Sequence, residues 1–216
     1  MIVPSGFGLS VDAQACAIAT VRDGSRHRAG GLRGRRLELP LAHVTTLNGT
    51  PITTAARTWL DCAALITWPD VVAMGDAMVR SGLATMDELE GIVEWGRGRR
   101  GIRFARGALL VIDPASESPG ESWVRAMLHR AGAPRGICNH TVNIDGLTFR
   151  LDIAWPEAML ALEYDGEEYH GPQHREHDAW RRELLKRAGW TIIVVRKGDL
   201  SNMDRIATVI KQACAQ

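Results

Sequence analysis

Two rhythms of apolar residues run through the chain. In the front half they recur at helical spacing and predict helices over 55–66, 70–82, 85–96 and 102–112. Thr53 or Thr54 stands at the N-cap of the first, and Thr85 with Asp87 and Glu88 gives a capping pattern for the third. Ahead of these helices, residues 16–22, 35–39 and 43–47 are short, β-leaning and set off by glycines or polar turns, which predicts a small sheet.

The back half alternates more cleanly. A predicted helix over 118–131 ends at Gly132 and Pro134. Strands over 140–144 and 147–153 flank Asp145-Gly146, a strong two-residue hairpin signal. Trp155-Pro156-Glu157 makes a second turn before a strand over 159–164. A helix over 176–188, an almost wholly apolar strand over 190–196 and a helix over 202–213 complete the pattern. The closing strand–helix–strand crossover implies a mixed sheet with helices packed against it. Breaker residues crowd 113–120, so two domains are expected, 1–113 and 114–216. The fold expected is α/β: a restriction-endonuclease-like mixed sheet flanked by helices, preceded by a smaller α+β domain.

Composition adds little except by exclusion. The net charge of +1 argues against a general coat of positive charge but leaves room for a local basic groove. No apolar stretch approaches membrane-spanning length, the N-terminus lacks a signal-peptide pattern, and the four cysteines form no CxxC pair. These features predict a cytoplasmic protein with free thiols and no membrane partner. Only Lys186, Lys197 and Lys211 among the 26 basic residues are lysine, which matters for a nuclease.

Candidate chemistry gathers on the predicted strands. Asp152 lies near the end of one, and Glu163 and Asp165 at the end of the next, two residues apart and so on one face. Three carboxylates converging there would repel one another unless a cation lay between them, and hard oxygen ligands suit Mg²⁺ or Mn²⁺. The run Phe149-Arg-Leu-Asp152-Ile-Ala-Trp155-Pro156-Glu157, Leu162-Glu163-Tyr164-Asp165-Gly166, His170, Asp178, Arg181-Arg182 and Gly189-Trp190 resembles the endonuclease-like proteins related to very-short-patch-repair enzymes, within the PD-(D/E)xK superfamily. The resemblance covers about residues 118–200. It implies a metal-dependent endonuclease on DNA, with Asp152 and Glu163 as metal-binding acids, His170 near the scissile phosphate and Glu121 contributed from the preceding helix. Asp165 stands where most of these enzymes carry lysine, so it would bind a second metal ion or mark a site that binds DNA without cutting it. The plainer readings are a turn residue for Asp152 and a helix-dipole role for Glu121. His170, His174 and His177 also have spacings that would suit zinc on one helix, but Gly171-Pro172 interrupts that helix and no cysteine completes the site.

Positive charge is concentrated in two runs. One is Arg97, Arg99, Arg100, Arg103 and Arg106, interleaved with Gly96, Gly98 and Gly101; the other comprises Arg22, Arg26, Arg28, Arg33, Arg35 and Arg36. Glycine lets a backbone approach phosphate closely, so the first run, with Arg181 and Arg182, is a candidate DNA contact; the alternative is a solvated face. Residues 47–65, built around Arg57-Thr58-Trp-Leu60-Asp61, resemble the region after the winged helix in antitoxins of the AbiEi type. That implies a DNA-binding regulator or a partner from a toxin–antitoxin or defence operon. The plainer reading is an i,i+4 salt bridge, Arg57–Asp61, on a packing helix. A homodimer is left open.

Overall fold

The computed structural model describes residues 16–20, 32–36, 39–166 and 172–215, and side chains within 39–166 and 179–215. The chain divides into two compact units, Met1–Leu110 and Val111–Gln216.

In the first unit, strands β1 (Cys16–Thr20) and β2 (Leu32–Arg36) pair in parallel. Strand β2 overlaps the expected 35–39 segment at Arg35 and Arg36, and residues 37 and 38 lie outside the described residues. Strand β3 (Val44–Leu47), expected over 43–47, pairs antiparallel with β4 (Thr50–Thr53), which was not expected. The turn between them is Asn48-Gly49, with φ of 48° and 77° at the two residues, the left-handed geometry of a tight hairpin. Four helices follow: α1 (Ala55–Cys62), α2 (Trp68–Arg80), α3 (Met86–Trp95) and α4 (Ile102–Leu109). Thr54 caps α1 by accepting from the Arg57 N–H, and Thr85 with Glu88 closes a reciprocal capping box on α3. The helices bury Trp59, Leu60, Val71, Val72, Leu89 and Ala105.

The second unit is a mixed sheet between helices. Helix α5 (Pro119–Arg130) leads to strands β5 (Ile137–Ile144), β6 (Leu147–Trp155) and β7 (Leu160–Asp165), then helix α6 (Pro172–Arg187), strand β8 (Thr191–Arg196) and helix α7 (Met203–Ala213). The sheet order is β5-β6-β7-β8, antiparallel except for the β7–β8 pair that the α6 crossover joins in parallel. Asp145 and Gly146 both have positive φ at the β5–β6 turn.

Two cores cover the two faces of this sheet. On one, Val124 and Leu128 of α5 and Met203, Ala207 and Ile210 of α7 pack on Ile153, Trp155, Leu160, Leu162 and Val195. On the other, Leu185 of α6 and Trp190 pack on Phe149, Leu151, Ala154 and Ala161. Phe149 and Leu151 therefore serve one core while Ile153 and Trp155 serve the other, although regular alternation would keep all four on one face. The switch falls at Asp152. Its cross-strand position is Asn139, which has a positive φ of 49° and is skipped in the β5–β6 pairing. Among the described residues, no helix is long and apolar enough to cross a membrane.

Candidate functional site

The break in alternation is what presents Asp152. It lies one residue beyond the Ile153–Leu162 pair at which the β6–β7 pairing ends, as Glu163 does on β7. Its Oδ2 accepts the Tyr164 backbone N–H at 2.8 Å. Burial raises its pKa from the ordinary 3.8 to about 6; the Tyr164 N–H works against that rise, the charges of Glu121 and Glu163 add to it, and Arg181 opposes it. Asp152, Glu121 and Glu163 thus share one electrostatic environment.

Glu121 reaches this place through a glycine. Gly120 lies against the Tyr164 ring, where a Cβ would come within 2.1 Å of Cε1, so the first turn of α5 can press onto β7 only without a side chain there. Ser118 caps the helix by accepting from the Glu121 N–H. The buried Glu121 carboxylate accepts from the Glu117 N–H at 2.8 Å and from Asn139 Nδ2 at 3.3 Å. Asn139, the residue that breaks β5, is therefore also tied to an acid of the cluster.

Glu163 is buried, and its counter-charge comes from α6. Arg181 Nη1 donates to Glu163 Oε1 at 2.5 Å, and Arg181 Nη2 donates to the Arg150 carbonyl oxygen. Arg182 Nε lies 3.8 Å from Glu163 Oε2 and has no hydrogen-bond partner among the described residues. Arg181 and Arg182, expected as phosphate contacts, are here committed to the acid.

Asp165 does not join the cluster. It pairs with Arg196 Nε at 3.2 Å, its register partner on β8. Among the described residues no three histidine, cysteine or acidic side chains stand close enough to hold a metal ion. His170 lies outside the described residues, as do the side chains of His174, His177 and Asp178.

The arginine run of the first unit is laid out differently. Arg97 pairs with Glu94 on α3, and the Arg99 guanidinium lies 3.9 Å from the centre of the Trp95 ring. Arg99, Arg100 and Arg103 line an open groove of about 530 Å³ together with Phe104. Of the other run, Arg22, Arg26 and Arg28 and the side chains of Arg33, Arg35 and Arg36 lie outside the described residues.

Arg57 makes the expected bridge to Asp61, at 3.0 Å, but its side chain is only 1% exposed. Arg57 Nη1 donates to His43 Nδ1 at 3.2 Å, and its guanidinium lies 4.9 Å from the centre of the Trp95 ring. Burial, Arg57 and Arg99 lower the pKa of His43, which suits a neutral ring accepting that bond. Sequence reasoning missed this cluster. The available signal was an arginine flanked by Ala56, Trp59 and Leu60 on an otherwise apolar helix face.

No protein-family model matches the chain, and no solved structure matches it. It is similar to two proteins of Mycobacterium tuberculosis, from strains CDC 1551 / Oshkosh and ATCC 25618 / H37Rv, each described as uncharacterized. Identity to each is 34% over 161 residues, which is 74% of this chain and 59% of the relative, so the chain spans about three-fifths of their length.

Proposed function

We propose that the second unit is a metal-dependent endonuclease that hydrolyses phosphodiester bonds of DNA. The observation that carries this reading is the acidic group of Asp152, Glu163 and Glu121, set where the strand changes face, with the Asp152 pKa raised to about 6 by its burial and, less strongly, by the two glutamates. The resemblance of the Asp152…Glu163-x-Asp165-Gly166 pattern to repair-type endonucleases supports it.

Asp152 and Glu163 supply hard oxygen atoms that suit a divalent cation, with Glu121 behind them. The three do not stand close enough together to hold one as a set, and Arg181 occupies Glu163, so loading would require Arg181 to release it. Asp165 does not fit, since it faces Arg196. Bound there, Mg²⁺ or Mn²⁺ would polarise a phosphoryl oxygen and lower the pKa of a water molecule. The chain's own groups do the positioning. The Tyr164 N–H fixes the Asp152 carboxylate, Gly120 admits Glu121, and Arg181 holds Glu163 against the Arg150 carbonyl. His170 is assigned the proton transfer that the resemblance implies. The protein is assigned to the cytoplasm, in keeping with free Cys62, Cys138 and Cys214.

The test is nicking of supercoiled plasmid with Mn²⁺ by wild type, Asp152→Ala and Glu163→Ala. Wild type is expected to nick and both variants to fall to background. Equal activity in all three ends the assignment. A second reading, a DNA-binding regulator of the antitoxin type that does not cut, is favoured by Asp165 in the lysine position and by Arg181 already neutralising Glu163. It predicts binding in EDTA and no nicking with any divalent cation.

A further inference from the structure

The groove in the first unit has a composition of its own. Gly101, at φ 82°, lies so close to the end of α1 that a Cβ would come within 2.5 Å of the Ala64 nitrogen. That contact fixes the 96–101 loop against α1 and sets the direction of α4. Arg99 is held over Trp95, while Arg100 and Arg103 are exposed and make no ion pair among the described residues. The first turn of α4 carries no acid, so Arg100 and Arg103 surround the positive end of a helix dipole. This excess of positive charge would be relieved by an anion. Phe104, 46% exposed, lines the same groove.

We infer that this groove binds single-stranded nucleic acid, with Arg99, Arg100 and Arg103 on the phosphates and a base stacked on Phe104. Its volume of about 530 Å³ falls within the range of ligand sites, about 300–1,000 Å³. A duplex keeps its bases stacked on one another and leaves Phe104 nothing to cover. An unpaired strand presents both charged backbone and free ring faces, and arginines beside an aromatic match that pair of needs. The inference rests on the reading that the chain acts on nucleic acid, but it concerns residues outside the acidic cluster and requires no metal ion.

The experiment is fluorescence anisotropy of the full chain in EDTA, which silences cleavage. The probes are fluorescein-labelled oligothymidylate and oligouridylate of about twenty nucleotides and a duplex of the same length; the site size of one such groove is about 4–16 nucleotides. Both single strands, or one of them, should bind at least about tenfold tighter than the duplex, and Phe104→Ala should remove about tenfold from the single strand alone. Phe104→Trp should retain the affinity, and Arg100→Ala with Arg103→Ala should weaken binding and flatten its salt dependence. Equal affinity for single strand and duplex, an unchanged Phe104→Ala variant, no binding in EDTA, or displacement by polyglutamate as readily as by unlabelled strand would each overturn the inference. None of these results bears on nicking by Asp152 and Glu163, which the plasmid assay decides separately.

Discussion

Each unit buries charge of both signs, Arg57 with Asp70 and Asp76 in the first and Glu121 and Glu163 with Arg125 in the second, but the two charge clusters described above are centred differently. In the first the centre is an arginine: Arg57 is enclosed, with Asp61 in an ion pair, His43 in a hydrogen bond and Trp95 presenting its ring. In the second the centre is a set of acids. Arg181 answers Glu163, backbone and amide N–H groups answer Glu121, and among the described residues Asp152 is left with a single N–H and a raised pKa. The contrast separates framework from site. A buried charge with complete partners holds an element in place, whereas one whose charged form is penalised is waiting for a cation or a proton.

The hardest test of that contrast is Arg57→Ala. It removes the centre of the first cluster, and urea unfolding followed by tryptophan fluorescence should show a loss of about 3 kcal/mol. A loss below about 1 kcal/mol would place Arg57 with surface pairs and remove the framework side of the comparison.

Asp152→Asn should act in the other direction. The folded pKa of about 6 lies above the ordinary 3.8, so the folded state takes up a proton first and wild type loses stability as pH rises through that window. In metal-free buffer the variant should match wild type near pH 4, gain thermal stability between pH 4 and 6, and keep a constant advantage above it. A melting temperature that rises by a few degrees at pH 8 while nicking disappears would show a residue kept for chemistry at the expense of stability. An advantage present at pH 4 and unchanged to pH 8 would tie the gain to packing.

Asp165→Asn is the smallest change. Its pair with Arg196 is partly exposed, and loss of the pair should cost less than about 1 kcal/mol by the same urea assay. Nicking should survive. If nicking collapses while stability holds, Asp165 belongs with the acidic cluster, and the Arg196 pair is a resting arrangement.

The elements carried by strong local signals were legible in the sequence. Asp145-Gly146 turns β5 into β6, Ser118 starts α5, and the α6 crossover leads to a parallel β8. Asn48-Gly49 is an equally strong hairpin signal, followed closely by Thr54, which caps α1. At the site, the resemblance singled out Asp152, Glu163, Asp165, His170 and Glu121; Asp152 lies within electrostatic reach of Glu121 and Glu163, Asp165 pairs with Arg196, and His170 lies outside the described residues. Long-range partners were not legible. Residue spacing cannot say that Arg196 would take Asp165 or that Arg181 would reach Glu163 from the facing helix, because those pairings depend on strand register and helix placement. The kink at Asp152 was hidden for a related reason: strict alternation through Phe149, Leu151, Ile153 and Trp155 describes a straight strand.

That kink makes Asp152 a fulcrum. Leu151, on one side of it, is anchored among residues under α6, and Ile153, on the other, among residues under α5 and α7. A void opened in either interior would tilt the strand about this point and carry the carboxylate with it, since close-packed interiors transmit strain more readily than they absorb it. The second unit's two hydrophobic interiors are therefore less free to drift than their distance from polar chemistry suggests, and conservative substitutions deep inside should be felt at Asp152.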